Sequence, residues 1–370
     1  MPVTEQDQLQ TRIAVTTATG VEVFAFDDDE LTLLSTFDVA EGSRAESGAG
    51  SRYVYLVDYE GGQTTLLDTG TYAEPHGDHD HYYTVEPTLV EQTIDGTSPV
   101  HVVGNDDGLV AIFDDGEGSI TTLSEATISE GGFETNLFET NAPHHGVAVP
   151  LEDQLLITET PDGGLPDTVV QVAIDGSEVA RYDEVCPGLH GEATTDGVAL
   201  FGCTDFVAVI DTDEHTTSTV AYPDGAGDNR VGSFYAGEPM IGNWGTDQLL
   251  ALNLESGTTS TISVGADIGT VARLGSDVAV LTTDGVLSML TADGEVISST
   301  EVIDPFALPE GHAMELPTIA VAGDNVIIAD FHGEHLVIFD AHDSTVLATQ
   351  ALDQAPTGVV VTGAAGAHEH

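Results

Sequence analysis

Apolar residues along this chain gather in short runs rich in Val, Ile, Leu and Phe, parted by Asp-Gly, Gly-Asp and Asp-Asp-Gly turns. Almost nowhere do they recur at the three- and four-residue spacing of an amphipathic helix, so the pattern predicts strands. The runs come in groups of four. The clearest passes from His145–Val149 through Gln154–Thr158 and Val169–Ala173 to Glu178–Tyr182. The next begins at His190–Ala193 and continues with Val198–Phe201, Phe206–Ile210 and Ser218–Ala221. Further groups start near Arg44, Val100, Gly232, Gly269 and Pro317.

Three strands within residues 12–39 lack a first partner, and a last strand, Gly358–Val361, has nothing after it. Joining the two ends completes one group, which is how a β-propeller closes its ring without leaving an edge. The expected fold is therefore all-β: a single propeller of four-stranded blades over residues 11–363. Eight blades of about 46 residues are expected; seven is the alternative, because the third group is irregular. Residues 1–10 and 364–370 are expected to be flexible ends, and residues 68–88 a histidine-rich loop insertion.

In such a blade the first strand lines a central channel, and three groups carry a histidine at or near its start. These are His101, His145 and His190, spaced 44 and 45 residues apart, one blade each. Equivalent positions on neighbouring blades point to one axis, so the three imidazoles can converge, and with a carboxylate or water they suit tetrahedral Zn²⁺. The alternative is three channel residues bonded to water. Glu192 lies two residues beyond His190, on the same face, and can supply the carboxylate. His312 leads into the strand at Pro317 and is a further candidate for the fourth ligand. His144 is turned away by alternation if His145 faces inward.

A second cluster is denser: Glu74-Pro75-His76-Gly77-Asp78-His79-Asp80-His81-Tyr82-Tyr83. Histidines alternating with acids are a metal-binding composition. Asp78 and Asp80 would suit Ca²⁺, but three imidazoles favour a later transition metal. The insertion joins a third to a fourth strand, so it is expected to leave the opposite face from the channel histidines and to form a separate, weaker, mobile site. His215, His332, His335 and His342 read as surface or turn residues, and nothing is read into His368 and His370, which end a Gly/Ala-rich tail. Cys186 precedes a channel strand and Cys203 ends the next strand, which makes a disulfide plausible and an oxidising compartment with it; a thiolate pair on the metal is the competing reading.

Charge narrows the partners. The chain has 370 residues with 64 Asp+Glu against 6 Lys+Arg, and a formal net charge of −58. Nucleic acid and anionic membranes would repel it. The acids are spread through the loops, as on a surface solvated in high salt. No stretch approaches the ~18–20 apolar residues of a membrane span. The opening residues, through Ala14, do not read as a signal peptide, so a mature exported chain with an added Met is the expectation.

With these residues laid out, the chain resembles the AztD family of periplasmic zinc chaperones. The similarity is carried by Glu74–Tyr83, Pro99-Val100-His101, His144–Pro150, Cys186-Pro187-Gly188-Leu189-His190-Gly191-Glu192-Ala193 with Gly202-Cys203, and Pro317–Gly323. The Cys-Pro-Gly-Leu-His-Gly-Glu-Ala run is the most specific piece. The resemblance implies a propeller that carries Zn²⁺ to the solute-binding protein of a zinc ABC importer; a periplasmic or extracellular monomer is expected. It implies metal binding by His101, His145 and His190 and a transfer role for His76, His79 and His81. The histidine that the family pattern suggests near Gly237 is missing here, which leaves the ligand number open. Two other readings stand beside it: a metal-dependent propeller hydrolase or lyase with Glu192 as general base, and a protein-interaction propeller with incidental histidines. No substrate-binding machinery is evident for the former, and a non-enzyme is expected.

Overall fold

The structure, a computed structural model, describes residues 2–27, 30–50, 52–77, 79–195, 197–227, 229–309 and 315–364. Among them the strands form eight four-stranded sheets and one three-stranded sheet, with one short helix at Glu125–Ser129. Seven of the eight are consecutive along the chain. Blade 1 is Arg44–Ser47, Tyr53–Asp58, Gln63–Asp68 and Thr88–Asp95; blade 2 is Pro99–Gly104, Leu109–Asp114, Ser119–Ser124 and Thr135–Glu139. Blade 3 is Ala148–Pro150, Gln154–Glu159, Thr168–Ala173 and Glu178–Tyr182; blade 4 is Glu192–Thr195, Val198–Gly202, Phe206–Asp211 and Thr216–Ala221. Blades 5, 6 and 7 start at Phe234–Tyr235, Ile268–Leu274 and Thr318–Ala322. Blade 8 takes its first strand, Pro356–Thr362, from one end of the chain and Thr11–Thr17, Gly20–Asp27 and Glu30–Asp38 from the other, with Ile13 opposite Val361 and Ala14 opposite Val360. The fold is that of an eight-bladed β-propeller.

The chain divides into two compact units. One holds blades 1, 6, 7 and 8 with the three-stranded sheet; the other, chiefly residues 96–267, holds blades 2 to 5. Both are built on one rule. A second strand is covered on both faces by neighbouring blades, so it must be apolar at successive positions, whereas an outer strand alternates. In blade 8, Thr11–Thr17 is almost wholly buried while Glu30–Asp38 alternates between exposed and half-buried. Ile13 and Val15 pack with Ile327, Ala329 and Leu336 of blade 7, and Ala14 with Val54, Leu56 and Leu67 of blade 1. In the other unit Leu155 and Ile157 face Ala111 and Phe113 of blade 2, while Leu156 faces Ala199 and Phe201 of blade 4. Each such Val, Leu or Ile contributes about 1.5–3 kcal/mol through burial.

Three expectations change. The insertion between Asp68 and Thr88 is not a loop but a β-hairpin, Thr71–His76 with His79–Thr84, in register Tyr72 to Tyr83, Glu74 to His81 and His76 to His79. Tyr and Thr at its root favour strands, and Pro75 is tolerated because its strand lies at the sheet edge. Gly77, with φ of 68°, supplies the left-handed turn residue that a two-residue hairpin connection requires. The N-terminal segment, expected to be flexible, contributes a third strand: Thr4–Gln6 pairs with the far side of the hairpin, Thr4 opposite Thr84 and Gln6 opposite Tyr82. The first strand of blade 3 also starts later than expected, at Ala148, which leaves His145 in the segment leading into it.

Candidate metal centre

Blades 2, 3 and 4 bring together the three histidines that the blade period placed in phase. His101 sits in the first strand of blade 2, at a bulge between Pro99 and His101. His145 and His190 lie in the segments entering the first strands of blades 3 and 4. His101 Nε2 and His145 Nε2 are 3.5 Å apart, and ring centroids are separated by 5.1 Å for His101–His145 and 5.4 Å for His145–His190. Two imidazole nitrogens on one tetrahedral zinc, each at its ordinary bond length, would stand about 3.3 Å apart.

What holds the rings matters as much as their spacing. His145 donates from Nδ1 to the Asp115 carboxylate at 2.7 Å, and His190 donates from Nδ1 to the Gly232 carbonyl at 3.1 Å. Both bonds fix the tautomer that carries the lone pair on Nε2. Asp115 has no signature of its own in the sequence. It follows Asp114, and both belong to an Asp-Asp-Gly turn; Asp114 closes the turn through the amides of Thr97, Ser98 and Glu117. Only the fold shows which acid of the pair faces the ring.

The segment that delivers His190 is pinned. Cys186 and Cys203 form a disulfide, with Cα atoms 5.0 Å apart and both side chains fully buried beside Leu189 and Phe201. The His190 amide donates to the Gly202 carbonyl at 2.9 Å, and Thr204 donates to the Pro187 carbonyl. Gly191 has φ of 80°, and a Cβ there would meet the Gly232 backbone at 2.6 Å, so only glycine lets His190 approach that carbonyl.

Glu192 opens the first strand of blade 4. Desolvation pushes its carboxyl up to about 7, opposed by the nearby charge of His145, although the side chain is half-buried rather than sealed from solvent. His144 faces the core, as alternation predicts. It is 4% exposed, bonded to the Ala142 carbonyl and the Thr158 hydroxyl, and edge-on to Phe113. Burial holds it below the ordinary imidazole range.

In the other unit the hairpin makes a second cluster. The ligand nitrogens of His76, His79 and His81 lie within 4.8 Å of one another. His79 and His81 are two apart on one strand and so share a face, and His76 stands directly across from His79. Alternation turns Asp80 to the opposite face, opposite Pro75, so it does not join the three imidazoles as expected. Asp78 and His312 lie outside the described residues. The hairpin root is braced: Arg52 makes a two-pronged ion pair with Asp68 at 3.0 and 2.7 Å and covers the Tyr72 ring at 4.3 Å. His335 is bonded to the Gly333 carbonyl two residues before it, and His215 to Gln171 of the neighbouring blade.

No family model matches the chain. The zinc chaperone AztD of Citrobacter koseri is 27% identical over 360 residues, covering 92% of this chain and 83% of that protein. The crystal structure of Citrobacter koseri AztD superposes with a TM-score of 0.86 at 23% identity, over 97% of this chain and 99% of the other. The fold is shared more distantly by the dihydro-heme d1 dehydrogenase NirN, with a TM-score of 0.67 at 12% identity over 96% of this chain and 75% of that one. The resemblance to AztD thus extends through both sequence and fold.

Proposed function

We propose that this chain, like the zinc chaperone it resembles, binds Zn²⁺ and hands it on outside the cytoplasm, to the solute-binding protein of a zinc ABC importer. Zinc is cargo here. His101, His145 and His190 hold it, with Glu192 or water as fourth donor, and His76, His79 and His81 provide ligands for exchange. The observation that carries this reading is His145 lying between His101 and His190, its ring centroid 5.1 and 5.4 Å from theirs, with Nδ1 of His145 bonded to Asp115 and Nδ1 of His190 to the Gly232 carbonyl. The donor set suits the ion: neutral nitrogens with one carboxylate nearby are zinc ligands rather than calcium ligands. The buried disulfide supports an oxidising compartment. We take the protein as a monomer that engages neither nucleic acid nor membrane, its net charge of −58 suiting salt-rich surroundings.

Zinc stoichiometry and affinity, measured by competition with a chromophoric chelator, test the reading, followed by transfer to an apo solute-binding protein. Tight binding with transfer supports it; absence of tight binding overturns it. A second reading draws on Glu192, whose raised carboxyl pKa would suit a general base beside a zinc-bound water. Turnover of esters or lactones that a chelator abolishes would favour the hydrolase.

A further inference from the structure

The three-stranded sheet contains an ion pair that the zinc reading leaves unused. Glu5, in the N-terminal strand Thr4–Gln6, accepts a 2.9 Å hydrogen bond from Nδ1 of His81. Register explains the contact. Glu5 stands opposite Tyr83, and His81, two residues earlier on the same strand, is its diagonal neighbour on the same face. The middle strand His79–Thr84 is therefore flanked by His76 on one side and by Glu5 on the other.

We infer that Glu5 is a positioning residue for the hairpin's metal ligands. The inference rests on the reading of the hairpin as a zinc-exchange site and adds a partner from the start of the chain. A neutral imidazole on an exposed strand divides its population between two tautomers and several rotamers. Accepting from Nδ1–H, Glu5 selects the tautomer with its lone pair on Nε2 and restrains the ring. Glu5 does not need to touch the ion. Its contribution is the carboxylate that a metal-bound histidine ordinarily has behind it, here brought by a strand more than 70 residues away in sequence. The same strand carries an internal control: Gln6 donates to the Thr84 hydroxyl at 2.9 Å, away from the histidine rings' described hydrogen bonds.

The test uses the full chain carrying His101→Ala, His145→Ala and His190→Ala, so that zinc titrated against a chromophoric chelator reports the hairpin alone. Glu5→Ala is expected to weaken zinc roughly 10- to 100-fold. Glu5→Gln, which keeps an acceptor but no charge, is expected to recover part of the loss, and Gln6→Ala to leave affinity unchanged. Ring ¹⁵N shifts of His81 in the metal-free protein give an independent readout: an Nδ1–H tautomer with Glu5 present, and a mixture in Glu5→Ala. Equal affinity in Glu5→Ala, an equal loss in Gln6→Ala, or an unchanged tautomer would overturn the positioning role. If the hairpin of the parent variant binds no zinc, the exchange reading fails, and the ¹⁵N shifts still decide whether Glu5 orients His81.

Discussion

The two histidine clusters use the same side chain in opposite ways. His101, His145 and His190 come from three blades, about one blade length apart in sequence, and sit at or just before strands that blade packing holds. His76, His79 and His81 come from six consecutive positions on one exposed hairpin. In the first cluster the fold fixes the rings through Asp115, the Gly232 carbonyl and a buried disulfide. In the second, strand alternation and cross-strand register put the rings on one face, with His81 bonded to Glu5, above a root clamped by Arg52 and Asp68. Ligands held in place bind tightly because little ordering remains to be done when the ion arrives. Ligands on an exposed hairpin exchange more readily. The proposed carrier role has a use for both kinds, and the difference predicts that the blade cluster holds the ion at rest.

The largest expected effect removes that holding site. His101→Ala/His145→Ala/His190→Ala should lower zinc affinity on the order of a thousandfold or more, leaving a weaker residual event at the hairpin. Chelator competition measures both steps. If the triple variant binds as tightly as the parent, the contrast is reversed and the hairpin is the storage site. Breaking the disulfide comes next. Cys186→Ser/Cys203→Ser should cost roughly 3 kcal/mol in denaturant unfolding, as expected for a loop of this length. It should also weaken zinc at the blade site and spare the hairpin, because the freed segment is the one that carries His190. Equal weakening at both clusters would mean that the disulfide supports the fold in general and not the ligand.

A smaller effect addresses the groups behind the rings. Asp115→Ala should weaken the blade site roughly 10- to 100-fold while thermal unfolding of the metal-free protein stays close to the parent. His144→Ala, beside it in sequence, should do the reverse, destabilising through a lost buried ring and leaving zinc binding to a correctly folded protein unaffected. This pair also marks how far the site can be read without coordinates. The 44- and 45-residue spacing exposed the three blade histidines, since the blade is a repeating unit and equal phase means equal position. Alternation separated His144 from His145. Asp115 stayed hidden because either acid of an Asp-Asp-Gly turn satisfies the turn. The hairpin stayed hidden because Gly77-Asp78 is flanked by histidines rather than by the alternating apolar residues that announce a strand, and Thr4–Gln6 is a strand only by virtue of the hairpin it joins. The blades themselves were legible, since burial on both faces writes a continuous apolar run such as Leu155-Leu156-Ile157.

The smallest effect asks whether the blade site is built before its cargo arrives. Desolvation raises the Glu192 carboxyl from 4.5 to about 7, with His145 opposing the shift. A carboxyl whose folded pKa is raised binds its proton more tightly in the folded state. Its favourable contribution is therefore complete below about 4.5 and is lost as pH rises toward about 7. In metal-free protein, Glu192→Gln should gain stability relative to the parent across that window, on the order of 1 kcal/mol once partial solvent contact is allowed for. Below about pH 4 the two proteins should differ little. Denaturant unfolding at several pH values with chelator present gives the comparison. A pH-independent difference would mean that Glu192 is solvated in the metal-free state and that the site takes shape only around the ion. The predicted slope would mean that the blades hold a desolvated carboxyl beside His145 in advance, the cost of a site made ready for its ion.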